Sequence, residues 1–232
     1  MSRSLIAPIA LACTLLCAAQ ARADNVSFSG FANGSKSVDI TLTSPNVGKT
    51  LTTDAGGFTA SLNGGPSFTS YCIDLYEYIG FGTTYNDYTL VAGASHAFAN
   101  SKAAVDIGKL FAEKNVIDSA TKQAAFQIAI WEIAYEASGI YNLATGAAKF
   151  SGGTASSSGA LSLASTWLGN LASTTNNEYS VWALDSIGRP GHPGHQDQVF
   201  AAPVPEPSTY AMLAGGLLCI GLFARRRSAR QA

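Results

Sequence analysis

Two side chains in this sequence are of types that can do covalent chemistry on each other. Cys72 lies in Ser70-Tyr71-Cys72-Ile73-Asp74-Leu75, which reads as part of a strand running from Phe68 to Tyr78. Gln127 lies in Phe126-Gln127-Ile128-Ala129-Ile130-Trp131, inside a helical stretch. A Cys thiolate held against a Gln carboxamide can displace ammonia and leave an intramolecular thioester, a strained and electrophilic acyl group. The reaction requires an acid or base to move the proton and apolar walls to exclude water. Tyr71, Phe126 and Trp131 are candidates for the walls. Asp74, two residues on and therefore on the same strand face, is the nearest candidate for handling the proton.

The elements must bring these residues together. Asp118 can cap a helix running to about Ser138. With Ala120 as zero, its charged residues Lys122, Glu132 and Glu136 fall at about 200°, 120° and 160°. The buried face then centres near 340°, which is where Gln127 lies, roughly flanked by Ala124, Trp131 and Ala134. Burying an amide without partners costs on the order of a few kcal/mol, so something must meet it there. Cys72 is one candidate. In the competing reading Cys72 is a small core hydrophobe and Gln127 is satisfied by backbone or by buried water.

Strand candidates precede the helix at Val26–Phe28, Val38–Leu42, Phe58–Leu62 and Tyr88–Val91. Asn33-Gly34, Asp54-Ala55-Gly56-Gly57 and Asn63-Gly64-Gly65-Pro66 punctuate them. Lys102–Lys114, capped by Asn100 or Ser101, predicts a first helix, and Leu161–Leu171 a third. Ser151–Gly159 reads as a loop. Tyr179–Leu184 and Gln198–Ala201 return to strand. The expected fold is α+β: an antiparallel β-sandwich or barrel-like body over residues 24–202 with a helical insert at about 101–172.

The ends explain why Cys72 stands alone. Arg3, the apolar run Leu5–Ala19 and Ala21-Arg22-Ala23 form a secretory signal peptide over residues 1–23, with cleavage before Asp24. Lipidation at Cys13 or Cys17 is disfavoured, because neither has a leucine-small-small run before it. At the other end, residues 203–232 form a tail. Val204-Pro205-Glu206-Pro207 is followed by an apolar, transmembrane-like helix over 210–224 and a basic end over 225–230 that includes Arg225, Arg226 and Arg227. Fifteen residues of helix cover about 22 Å, short of the roughly 30 Å hydrocarbon core. The arginines should stay cytoplasmic and the domain outside. Cys13 and Cys17 leave with the signal peptide and Cys219 lies in the tail, so an internal disulfide cannot hold the domain.

Composition narrows the function. Residues 24–204 carry 8 Lys+Arg against 14 Asp+Glu, a formal charge of −6. Such a domain is a poor nucleic-acid binder. His192-Pro193-Gly194-His195 with Asp197 has metal-like residue types, but two His at that spacing in a turn is a weak signal, and His96 is isolated in sequence. The expectation is no metal and no cofactor. No G-x-S-x-G elbow and no phosphate-binding glycine loop supports an enzyme. Tyr76, Tyr78, Phe81, Tyr85 and Tyr88 could stack on sugars but suit cross-strand pairing better.

Two family resemblances rest on these residues. The tail resembles the PEP-CTERM sorting signal, whose pattern is V-P-E-P, an apolar helix and a basic cluster. That resemblance implies handling by the secretion machinery and a signal peptidase, then by an exosortase, a membrane cysteine transpeptidase, in a Gram-negative-type bacterium. Tyr71-Cys72-Ile73-Asp74 and Gln127-Ile128-Ala129-Ile130-Trp131 are similar to the two halves of the bacterial surface thioester domain, with Phe126 where that family has Thr. This second resemblance implies that Cys72 is the thiol and Gln127 the acyl donor. It also implies a covalent adhesin for a surface amine or polysaccharide target. The alternative is a non-covalent structural protein of an exopolysaccharide matrix or biofilm.

Overall fold

The structure is a computed structural model that describes residues 23–43, 48–113, 117–176, 178–186, 188, 194–204, 212–213 and 216–220. In chain order its elements are β1 (Asp24–Phe31), β2 (Lys36–Leu42), β3 (Lys49–Ala55), β4 (Phe58–Leu62), β5 (Ser67–Cys72), β6 (Thr83–Ala92), α1 (Ala103–Ala112), α2 (Ala120–Tyr135), β7 (Ala148–Ser151), α3 (Gly153–Ser157), α4 (Ala160–Asn170), β8 (Tyr179–Ser186) and β9 (Gln198–Pro203).

Six strands close an antiparallel barrel in the order β1-β4-β5-β9-β8-β6. Alternation places Val26 and Phe28 of β1, Ala60 of β4, Tyr88 of β6 and Ala183 of β8 in the core. Phe28 fills it, with its ring 6.1 Å from those of Phe58, Tyr85 and Tyr88. Tyr85 and Tyr88 therefore do pack within the sheet, whereas Tyr78 and Phe81 lie off the strands and are exposed. Asn63 and Gly64 adopt positive φ in the β4–β5 connection, as an Asn-Gly turn requires.

A second sheet, β3-β2-β7, stands apart from the barrel. Its β2 buries Val38, Ile40 and Leu42 completely. The α2 helix touches β5 of the barrel, all three strands of this sheet, and α1, α3 and α4. Covered on every side, it buries every residue from Gln123 to Ala134.

The structure corrects several expectations. Burial of α2 is not one-sided: Glu132 is wholly buried and Glu136 nearly so, because the second sheet and the following loop cover the face expected to meet water. Ser119, not Asp118, caps α2 by accepting from the Lys122 N–H, while Asp118 pairs with the Lys122 ammonium. The strand expected over Phe68–Tyr78 ends at Cys72. Beyond it the Asp74 carboxylate accepts from the Tyr76 N–H and closes a turn. Ser151–Gly159 is not a loop, since β7 joins the second sheet there and α3 follows. Ser37 and Thr154 exchange hydrogen bonds that dock α3 on β2. The insert is therefore helices plus a strand.

The expected signal helix lies outside the described residues. Among the described residues no helix is long and apolar enough to cross a membrane. Of the transmembrane-like helix expected over 210–224, residues 212–213 and 216–220 are helical and the remainder lies outside the described residues.

Candidate functional site

The last residue of β5 meets the middle of α2. The Cys72 N–H donates to Gln127 Oε1 at 2.9 Å, and Gln127 Nε2 donates to the Cys72 carbonyl at 2.8 Å. One carboxamide thus satisfies both backbone groups of one residue. Gln127 has no exposed surface and Cys72 is 1% exposed. The sequence expectation that these two meet in the core agrees with this geometry.

The thiol is held from two sides. Cys72 Sγ donates to the Asp74 carbonyl at 2.7 Å and accepts from the Trp131 indole N–H at 3.3 Å. Burial pushes the thiol far above its usual range. The Trp131 indole N–H and a backbone hydrogen bond with Asp74 pull it back, and the charges of Asp74 and Asp197 push it up again. Trp131, one turn after Gln127 on α2, is itself fixed by parallel stacking on Phe150 of β7. Tyr71 and Phe126 close the neighbouring wall, with ring centres 4.8 Å apart, and Phe111 and Trp167 extend it.

Asp74 is displaced from its expected place. It follows the end of β5, and its backbone carbonyl, not its carboxylate, contacts the sulfur. Sequence reasoning missed Asp197 in this setting. Its carbonyl accepts from the Ile73 N–H at 2.9 Å, next to the β5–β9 pair Cys72 and Gln198. Its carboxyl is raised to about 7 by burial and by the neighbouring charge of Asp185. The signal was only topological: β9 was expected as a strand, but its pairing with β5 was not. Gln123 was also missed. It accepts from the Gly57 N–H at 3.0 Å, one turn before Gln127, and fastens α2 to the barrel a second time.

The histidine loop is described only from Gly194 onward. His195 pairs with Asp87 at 2.7 Å, and His192 lies outside the described residues. His96, isolated in sequence, pairs with Asp185 at 2.7 Å, and Asp197 joins that group. Of the tail, Val204 donates its N–H to the Glu178 carbonyl at 2.7 Å. Pro205, Glu206, Pro207, Arg225, Arg226 and Arg227 lie outside the described residues.

Comparison with known proteins identifies the tail. Residues 203–227 match the family model of the PEP-CTERM protein-sorting motif. The chain therefore carries a sorting signal that implies processing by an exosortase, with export to a surface or extracellular location. Among solved structures, the N-terminal domain of the Streptococcus pyogenes pilus tip adhesin Cpa is similar to this chain. The identity is 14% and the TM-score 0.47, over 81% of this chain and 97% of that one. No curated protein matches the chain.

Proposed function

We propose that this exported, exosortase-sorted protein is a covalent adhesin whose barrel domain forms an internal thioester between Cys72 and Gln127. The observation that carries the reading is the paired hydrogen bond between the Gln127 carboxamide and the Cys72 backbone in a buried core. In the reaction, Cys72 Sγ attacks Gln127 Cδ. The carbon–sulfur bond forms as the carbon–nitrogen bond breaks, and the thiol proton leaves with Nε2 as ammonia. The Cys72 N–H already donates to Gln127 Oε1, the oxygen on which negative charge develops. The Trp131 N–H supports a sulfur anion that burial otherwise disfavours. A target amine would then attack the same carbon, form an amide and release the thiol. The chemistry is self-modification and a single transfer, not turnover.

A second reading is favoured by Gln123. Its bond to the Gly57 N–H shows the same kind of glutamine-to-backbone fastening with no cysteine involved. In that reading both glutamines are struts that hold α2 on the barrel, and the protein is a non-covalent component of an extracellular matrix or biofilm.

Methylamine separates the two. A covalent adhesin incorporates methylamine at Gln127, located by peptide mass mapping, and Cys72→Ala abolishes the incorporation. Unmodified Gln127 after prolonged exposure supports the strut reading.

A further inference from the structure

We propose that His96, Asp185 and Asp197 form a binding site for a divalent transition-metal ion, with Zn²⁺ the best-fitting class. The three come from separate segments. His96 follows a 3₁₀ turn (Gly93–Ser95) after β6, Asp185 lies in β8 opposite Thr89 of β6, and Asp197 precedes β9. Barrel closure sets β6, β8 and β9 side by side and brings one ligand atom from each residue within 4.8 Å of the other two. Ligands at about 2.0–2.2 Å from a shared ion stand roughly 3.4 Å apart in a tetrahedral arrangement, so modest side-chain rotation closes the site.

The ligands are also held in place by their neighbours. The Ser186 N–H donates to Asp197 Oδ1 at 2.7 Å, and the Ser186 hydroxyl donates to Asp87. The His96 ring stands edge-on to Phe98, with centres 4.5 Å apart, and aims Nδ1 at Asp185. Partners of this kind orient the side chains that would bind the ion. Charge argues the same way. Two carboxylates face one imidazole, and no lysine ion pair among the described residues involves either of them. One imidazole with two carboxylates suits Zn²⁺ and leaves a fourth position for water. Ca²⁺ takes six to eight oxygen ligands, so it fits this set poorly.

The test uses the exported chain from Asp24 onward in a Cys219→Ser background, so that no thiol of the signal peptide or tail can chelate. The chain is stripped with a chelator and titrated with Zn²⁺ alone by calorimetry, with thermal unfolding alongside. The expected result is one equivalent bound and a higher unfolding midpoint. His96→Ala and Asp185→Asn should each weaken binding about tenfold or more, and excess Ca²⁺ should not compete. His195→Ala removes the other histidine–aspartate pair and should bind like the parent. No heat and no midpoint shift would mean that His96 and Asp185 are only an ion pair, and the proposal fails. It fails equally if the His96 and Asp185 variants both bind as tightly as the parent, or if only the His195 variant loses the ion.

Discussion

Gln127 contributes through both ends of its amide, and each end can be altered separately. Gln127→Ala strands a buried N–H and a buried carbonyl on Cys72, at a cost of about 1–3 kcal/mol for each. Gln127→Glu keeps the shape. Its neutral acid can accept from the Cys72 N–H and donate to the Cys72 carbonyl, but its carboxylate can only accept. Burial raises the pKa of such an acid in the folded state, so the stability it supplies is present at low pH and lost as pH rises. Denaturant unfolding of Gln127→Glu should therefore show near-parental stability at pH 5 and a loss on the order of 1–3 kcal/mol at pH 8. Trp131→Phe tests the sulfur's partner. It keeps the ring but removes the indole N–H that reaches Sγ. The expected outcome is a retained fold by circular dichroism and a smaller cross-linked fraction by mass.

At the scale of elements, α2 decides both the site and the pH response. Glu132 is wholly buried. One oxygen accepts from the Asn142 N–H at 2.6 Å, and the other has no hydrogen-bond partner among the described residues. Burial raises its carboxyl to about 7. The sign follows from proton counting. Between its ordinary value of 4.5 and about 7 the folded chain holds a proton that the unfolded chain has released, so stability falls as pH rises through that window. Asp197, also raised to about 7, acts in the same direction. The domain should be more stable at pH 5 than at pH 8. Glu132→Gln should remove a large part of that slope, on the order of 2 kcal/mol, in unfolding curves across the range.

The same helix marks how far sequence reaches. Its span was legible because the Ala/Ile run is a local signal, although the cap falls at Ser119, one residue beyond the expected Asp118. The burial of its charged face was not, because that depends on β7 and on the loop that lays the Asn142 N–H and the Ala147 N–H onto Glu132 and Glu136. Strand β7 itself is four residues long and has no alternation beyond Ala148 and Phe150. Cys72 and Gln127 could be paired from their chemistry. The Asp197 and His96 neighbourhood could not, because nothing local in sequence says that β9 lies beside β5 and β8.

At the scale of the whole molecule, an acidic domain with a single thiol is delivered by a sorting tail. The PEP-CTERM match over residues 203–227 makes a concrete prediction. Replacing Pro205-Glu206-Pro207 by alanines should leave the tail attached in the native host, read as a longer chain on immunoblot. Normal maturation would show that those residues are not the recognition element. Export also bears on Cys72. It is buried, bonded to Trp131 and Asp74, and has no disulfide partner among the described residues. The most direct test of the account is therefore the intact mass of the exported domain under denaturing, non-reducing conditions. A Cys72–Gln127 thioester predicts a mass lower than the sequence value by one ammonia, about 17 Da, with the deficit absent in Cys72→Ala and in Gln127→Ala. A full-mass chain whose Cys72 thiol titrates freely on unfolding would contradict it.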